Sequence, residues 1–200
     1  MLIHYTNFAS PVGPLLVAAS PKGLVLLEFS GHRRQRPGMP ERLLPLPANP
    51  QSMAAGASVG AAASVSARLR ANPQSLVEST ENLRPYLDQL RQYFAGERRE
   101  FTLPLDLHGT EFQLRCWHAL LEIGYGEIRT YAQLARTVDS PKGFRAVGAA
   151  NGANPVSIIV PCHRVIASDG TLGGYGGGLE VKEKLLRLEG VWPISTGQLG

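Results

Sequence analysis

Cysteine is scarce in this sequence: two occur in 200 residues, Cys116 and Cys162. Two thiols so far apart suggest neither a disulfide framework nor a cysteine-rich zinc site. A thiol that matters here matters chemically. Long hydrophobic runs are missing too. No stretch approaches the ~20 consecutive apolar residues of a membrane span, and Met1-Leu2-Ile3-His4-Tyr5 lacks a charged-then-apolar signal pattern, so a cytoplasmic protein is expected. Charge of one sign is confined to one place. The formal charge is +4, yet residues 101–200 hold nine Lys and Arg against nine Asp and Glu, while residues 31–80 hold six Arg against two Glu. The excess therefore says little about a nucleic-acid surface elsewhere in the chain and equally suits a solvated segment.

At 44% hydrophobic residues the chain can bury one sizeable core or two small ones. Residues 3–8, 15–19 and 24–29 are short apolar runs separated by Pro11-Val12-Gly13-Pro14 and Ser20-Pro21-Lys22-Gly23, which predicts a small antiparallel meander. Residues 31–80 are rich in Pro, Ala, Ser and Gly and lack a sustained period, with an Ala-rich helix conceivable over 56–71. Leu83, Tyr86, Leu87, Leu90, Tyr93 and Phe94 then recur at helical spacing before Gly96, predicting a helix over about 82–95 that packs on the meander.

Thr110-Glu111-Phe112-Gln113 fits a capping box, and Phe112, Cys116, Leu120 and Ile123 form the apolar stripe of the helix it opens. A free cysteine on such a stripe behaves as a small hydrophobe, so Cys116 is assigned to the core. Thr130-Tyr131-Ala132-Gln133 repeats the box and starts a short helix through about Val138; Ser140-Pro141 offers an N-cap and first-turn proline for a second, ending near Gly152. Two short helices across a tight turn make a helix-turn-helix candidate. The second carries little bulk (Arg145, Ala146, Gly148, Ala149, Ala150), which suits close approach to DNA or ordinary close helix packing. The whole pattern predicts an α+β chain. Residues 1–100 form a small N-terminal sheet and helix domain with a low-complexity insertion at about 31–80, and residues 101–200 form a mainly helical domain.

Ser157-Ile158-Ile159-Val160 is a β-prone run halted by Pro161, which places Cys162 at an end of regular structure. The thiolate is the nucleophilic form, and a nearby histidine favours it. His163 is adjacent, but neighbours on an extended strand point to opposite faces; contact would need a turn, or a water relaying the proton. Glu189 ends the last helix, where a carboxylate opposes the macrodipole; that hints at a cationic or hydrogen-bonding partner, with His163 a candidate, although such helix ends are also commonly solvated. Gly173-Gly174-Tyr175-Gly176-Gly177-Gly178 suits a lip over a pocket with Tyr175 as a flat surface for a base, and the missing Lys-Ser/Thr ending argues against a nucleotide-binding P-loop.

Pro161-Cys162-His163-Arg164-Val165, together with Arg145-Ala146-Val147-Gly148, Asn154-Pro155, Tyr175, Gly177-Gly178 and Glu189-Gly190, resembles the O6-alkylguanine-DNA alkyltransferases, closely over about 101–190 and more loosely before it. The resemblance implies direct-reversal repair: one irreversible transfer of an alkyl group from O6-alkylguanine, with O4-alkylthymine as a second candidate substrate, in double-stranded DNA to Cys162. It implies that His163 deprotonates Cys162 through a water and is oriented by Glu189, and that Asn154 braces the turn. Tyr131 would help rotate the nucleotide out, Arg145 would fill the vacated stack, backbone groups at Cys162 and Val165 would read the base edge, and Tyr175 would line the pocket. No cofactor is implied, and the protein is expected to be a monomer that can cooperate with neighbours on DNA.

Extruding a base costs a few kcal/mol, less for a damaged pair, and a slim helix with backbone phosphate contacts serves that step without a basic surface. Two departures stand out. Gly176 occupies the place of a serine that in many members hydrogen-bonds the departing oxygen, so that stabilisation comes from a backbone amide or is weaker, and a pocket roomier for larger alkyl groups is one consequence. The N-terminal cysteines that hold zinc in some relatives are absent, so no metal is expected. Three rivals differ in testable ways. A non-catalytic alkyltransferase-like lesion binder would replace the acceptor cysteine. A cysteine hydrolase would need an oxyanion hole and turnover. A transcription regulator would place base-reading polar side chains on the second helix.

Overall fold

The computed structural model describes residues 2–30 and 76–193; the Ala-rich helix expected over 56–71, and most of the insertion, lie outside the described residues. The meander forms as its period-2 pattern predicts: β1 (Ile3–Phe8), β2 (Leu15–Ser20) and β3 (Gly23–Phe29), with β1 and β3 each antiparallel to β2. Alternate residues serve opposite faces. Leu15 and Val17 enter the main core, while Leu16 and Ala18 join a small second cluster with Val25 and Leu26. The end of the segment read as irregular instead adds a strand: β4 (Leu76–Glu78) pairs parallel to β1, giving the order β3-β2-β1-β4. Three residues are too few for a periodic signal, and pairing with β1 stabilises them.

Helix α1 (Arg84–Phe94) has proline in its first turn and buries Tyr86, Leu87, Leu90 and Tyr93, the stripe that the spacing predicts. Phe94 stacks on Phe8 with ring centroids 6.4 Å apart, which docks the helix on the sheet. Helix α2 (Glu111–Leu121) opens with both halves of its capping box formed, and Cys116 lies fully buried on its apolar face. Trp117 Nε1 donates to the carbonyl of Ala150 at 2.9 Å and ties α2 to the helix-turn-helix.

That motif is α3 (Tyr131–Thr137), also opened by a complete capping box, and α4 (Phe144–Gly152). The second helix does not begin at Ser140-Pro141 as expected. Asp139 takes φ 55°, the Gly143 amide donates to the Ser140 carbonyl at 2.7 Å, and the resulting turn delays the helix to Phe144. Two-residue strands β5 (Arg129–Thr130) and β6 (Val165–Ile166) pair in parallel beside it, and α5 (Leu179–Leu188) closes the fold.

The outer edge of β3 connects the sheet to the site. Leu24 and Asp106 amides exchange bonds with Pro104 and Leu24 carbonyls, and the Leu27 amide donates to Pro155 while Ser157 donates to Leu27, all at 2.9 Å. A free strand edge is thereby satisfied by two loops, one of which leads to Cys162. One continuous buried cluster runs from Phe8 to Leu185 across both halves of the chain.

Candidate active site

The loop after α4 is not the strand that Ser157-Ile158-Ile159-Val160 predicts. It coils back on itself: the Val160 amide donates to the Val156 carbonyl at 3.0 Å, and Ile158 adopts φ 73°, a costly conformation for a β-branched residue. Burial of Val156, Ile158 and Val160 overrides their β preference, and only Val156 bridges to β3. Asn154 braces the coil from inside. Its Oδ1 accepts from the Val156 amide at 3.0 Å, and its Nδ2 donates to the Val160 carbonyl at 2.8 Å and to Cys162 Sγ at 3.1 Å.

Cys162–Arg164 then form a single 3-10 turn. His163 and Glu189 are both buried, and His163 Nε2 lies 2.8 Å from Glu189 Oε1. Glu189 is the C-cap of α5, one residue past the helix, and not a solvated end. Arg164 supplies the cationic partner: its Nε reaches Oε2 at 2.8 Å and a terminal nitrogen reaches Oε1 at 2.9 Å. Tyr93 Oη donates to Oε1 at 2.7 Å.

Burial alone would push the Glu189 carboxyl up; the charge and hydrogen bonds of His163 and then Arg164 outweigh it and hold the group at about 2. Burial pushes His163 below its ordinary value, with the Glu189 charge pulling the other way. The carboxylate is depressed furthest when His163 is protonated, whereas burial favours a neutral ring; the Arg164 pair sustains the carboxylate in either case. An ionised carboxylate only accepts, so the neutral ring donates Nε2–H to Oε1 and keeps its lone pair on Nδ1. That Nδ1 is buried and has no hydrogen-bond partner among the described residues.

A cavity of about 690 Å³ opens beside the thiol. Its wall takes Tyr131 and Ala132 from the start of α3, Phe144, Gly148, Asn151 and Gly152 from α4, Cys162 from the turn, and Gly174, Tyr175 and Gly176 from the lip. The lip is held from both sides: a Cβ on Gly173, at φ 65°, would meet the Tyr131 ring at 3.0 Å, and one on Gly177 would meet the Phe29 ring at 2.8 Å. Phe29 in turn packs edge-on against Tyr175, with centroids 5.8 Å apart.

Of the residues singled out in the sequence, the structure therefore brings Cys162, Tyr131, Tyr175 and Gly176 to one cavity, with Asn154 bonded to the Cys162 sulfur and His163 bonded separately to Glu189. Arg145 and Val165 are not on the cavity wall. Arg145 is exposed on α4 with its guanidinium 5.9 Å from the Phe144 ring centroid, and the buried Val165 gives its carbonyl to Lys182 Nζ.

Sequence reasoning missed four groups: Arg164, Tyr93, Lys182 and Asn151. Lys182 is fully buried, donates to the Val165 and Leu172 carbonyls, and is lowered by burial to about 8, with the Cys162 charge opposing that shift. It shares a helical stripe with Leu185, Leu186 and Glu189, and a lysine on an apolar stripe was the available signal. Asn151 is 5% exposed, and both polar atoms of its amide are buried without a hydrogen-bond partner among the described residues. Among the described residues no group of three His, Cys, Asp or Glu is arranged to hold a metal ion, and no helix is long and apolar enough to cross a membrane.

Two family models together match most of the chain. Residues 3–107 match the ribonuclease-like domain of 6-O-methylguanine DNA methyltransferase, and residues 111–191 match its DNA-binding domain. A methylated-DNA–protein-cysteine methyltransferase of Methanosarcina acetivorans is 40% identical over 188 residues, covering 94% of this chain and 99% of the relative. The inducible enzyme of that name from Bacillus subtilis is 50% identical over 123 residues, 62% of this chain and 69% of the relative. Among solved structures, Mycobacterium tuberculosis OGT in complex with DNA superposes with a TM-score of 0.70 at 38% identity, covering 93% of this chain and 92% of that one. The chain belongs to the 6-O-methylguanine DNA methyltransferase family.

Proposed function

We propose that this protein repairs O6-alkylguanine in duplex DNA by moving the alkyl group onto the Cys162 sulfur, once per molecule. The observation that carries the reading is a thiol on the wall of a 690 Å³ cavity between two short helices, with a neutral imidazole bound to a buried carboxylate in the same turn. His163 Nδ1 takes the Cys162 proton through a water, and the sulfur attacks the alkyl carbon. The carbon–oxygen bond breaks, its electron pair stays on O6, and the guanine recovers the proton from His163. A thioether is a poor leaving group, so the sulfur keeps the alkyl group.

Asn154 holds the thiol and the coil, and the Glu189 carboxylate fixes the tautomer of His163. Tyr131, on the wall of the cavity, helps turn the nucleotide out. Arg145, on the exposed face of α4 with Ala146 and Ala149, fills the gap left in the stack. Tyr175 supplies a flat wall for the base, and backbone groups at Cys162 and Val165 read its edge. The lip amides near Gly176 serve the departing oxygen. Residues 1–100 form the supporting domain and residues 101–200 the DNA-binding, acceptor domain. The protein works in the cytoplasm as a monomer that cooperates with neighbours on DNA, and O4-alkylthymine is a second substrate.

The test is incubation with duplex DNA carrying O6-methylguanine, followed by mass analysis of the Cys162 peptide and a count of lesions repaired per protein molecule. One methyl group on Cys162 and one repair per molecule are expected. An unmodified peptide, many turnovers, or repair by Cys162→Ala would overturn the proposal.

A further inference from the structure

The Glu189 carboxylate is reached from both halves of the chain. Tyr93 lies in the last turn of α1, 96 residues away, and its hydroxyl donates to Oε1 at 2.7 Å. The same oxygen receives His163 Nε2 at 2.8 Å and an Arg164 nitrogen at 2.9 Å. Packing fixes where the hydroxyl sits: the Tyr93 ring is fully buried against Phe94, Phe101 and Tyr125, with centroids 5.3, 5.4 and 6.2 Å away. A core position needs only the ring, whereas a hydroxyl aimed at a buried carboxylate acts on charge.

We propose that Tyr93 is a positioning residue for the alkyl transfer, whose hydroxyl anchors Glu189 Oε1 and tempers the negative charge that His163 meets, so that the N-terminal half sets the basicity of the imidazole. The proposal rests on the reading of His163 as the base. Each hydrogen bond to the ionised carboxylate stabilises its charge and weakens its hold on the proton it shares with the ring. The groups facing this pair are Arg164 from the turn, Lys182 from α5, Tyr125 from the loop after α2, and Tyr175 from the lip. Arg164 and Lys182 favour a neutral imidazole and Glu189 a charged one. A donor on Glu189 therefore tilts the balance toward the neutral base. Burial, reinforced by the Glu189 charge, keeps the Tyr93 phenol well above its ordinary value, so it remains a donor throughout the working range.

Tyr93→Phe retains the ring and removes the hydroxyl. In the full chain without DNA, the titration midpoint of the His163 ring nitrogens, read by NMR, should rise by about half a pH unit. In single-turnover transfer the acid limb of the pH profile should move up with it: roughly threefold slower on that limb, and within about twofold of the parent on the alkaline plateau. Placing 3,5-difluorotyrosine at position 93, a stronger donor with the same ring, should lower the midpoint. In a Glu189→Gln background Tyr93→Phe should leave it unchanged. Equal midpoints in parent and variant, an equal rate loss at every pH, or a shift that persists without Glu189 would each overturn the proposal. The NMR arm needs no DNA, so a parent protein that transfers nothing would sink the functional reading while this coupling is still tested.

Discussion

Replacing Glu189 by Gln keeps the shape of the side chain and removes the charge that Arg164 is buried against. Arg164 is 6% exposed, and its guanidinium gives two nitrogens to the carboxylate at 2.8 and 2.9 Å. Leaving a buried ion without its partner costs about 3–5 kcal/mol. A second route gives a similar size: Glu189 stands at about 2 against an ordinary 4.5, and at about 1.4 kcal/mol per pH unit this corresponds to roughly 3 kcal/mol. The folded state depresses this carboxyl, so its contribution is full above the unfolded value near 4.5 and is lost as the pH falls through about 2. Urea denaturation of parent and Glu189→Gln should differ by about 3 kcal/mol at pH 7, by progressively less below the ordinary carboxyl range, and by little once Glu189 is protonated in both states. In thermal melts near pH 7 the gap should appear as roughly 6–12 °C. A gap under about 1 kcal/mol at neutral pH would mean that water screens the pair as at a surface. A gap independent of pH would mean that lost packing, not lost charge, destabilises the variant.

Gly177→Ala puts a Cβ 2.8 Å from the Phe29 ring that supports Tyr175; a loss of about 1–3 kcal/mol is expected in denaturant titrations, partly recovered by adding Phe29→Leu. Lys182→Met removes a buried cation that attracts the Cys162 charge, and should slow the reaction of Cys162 with iodoacetamide at neutral pH by several-fold while Cys116 is unaffected. Cys116→Ala, at a fully buried position, should cost about 1 kcal/mol in stability and leave the yield of alkylated Cys162 at one per chain.

Much of the fold was legible because its signals are short-range. Thr110 and Thr130 each sit three residues before a glutamine, and both capping boxes form with the bonds that spacing implies. The stripe from Tyr86 to Tyr93 buries as a helix face, and the runs around Leu15 and Leu24 pair as a meander. The two misreadings have different causes. Ser157 to Val160 has a strand's composition, yet Asn154 and the burial of three apolar side chains hold it as a coil. Ser140-Pro141 has a helix opening's chemistry, yet the turn at Asp139 delays the helix by a few residues. At Ser157 to Val160 burial outweighs a local β preference, whereas at Ser140-Pro141 one local hydrogen-bonded turn replaces another.

The sequence by itself assigned one thiol to the core and singled out the other as the candidate nucleophile. Cys116 lies on a helical stripe, and Cys162 follows a proline beside a histidine, inside a run of motifs specific enough to identify the family. Only the tertiary structure decided what surrounds that thiol. The place of Glu189 at a helix end pointed to a partner such as His163, but nothing in its neighbours says that the carboxylate is also shared by Arg164 and Tyr93, which are 25 and 96 residues distant. A charged group can be buried only where opposite charge and donors converge on it, and convergence across such separations is a property of the folded core.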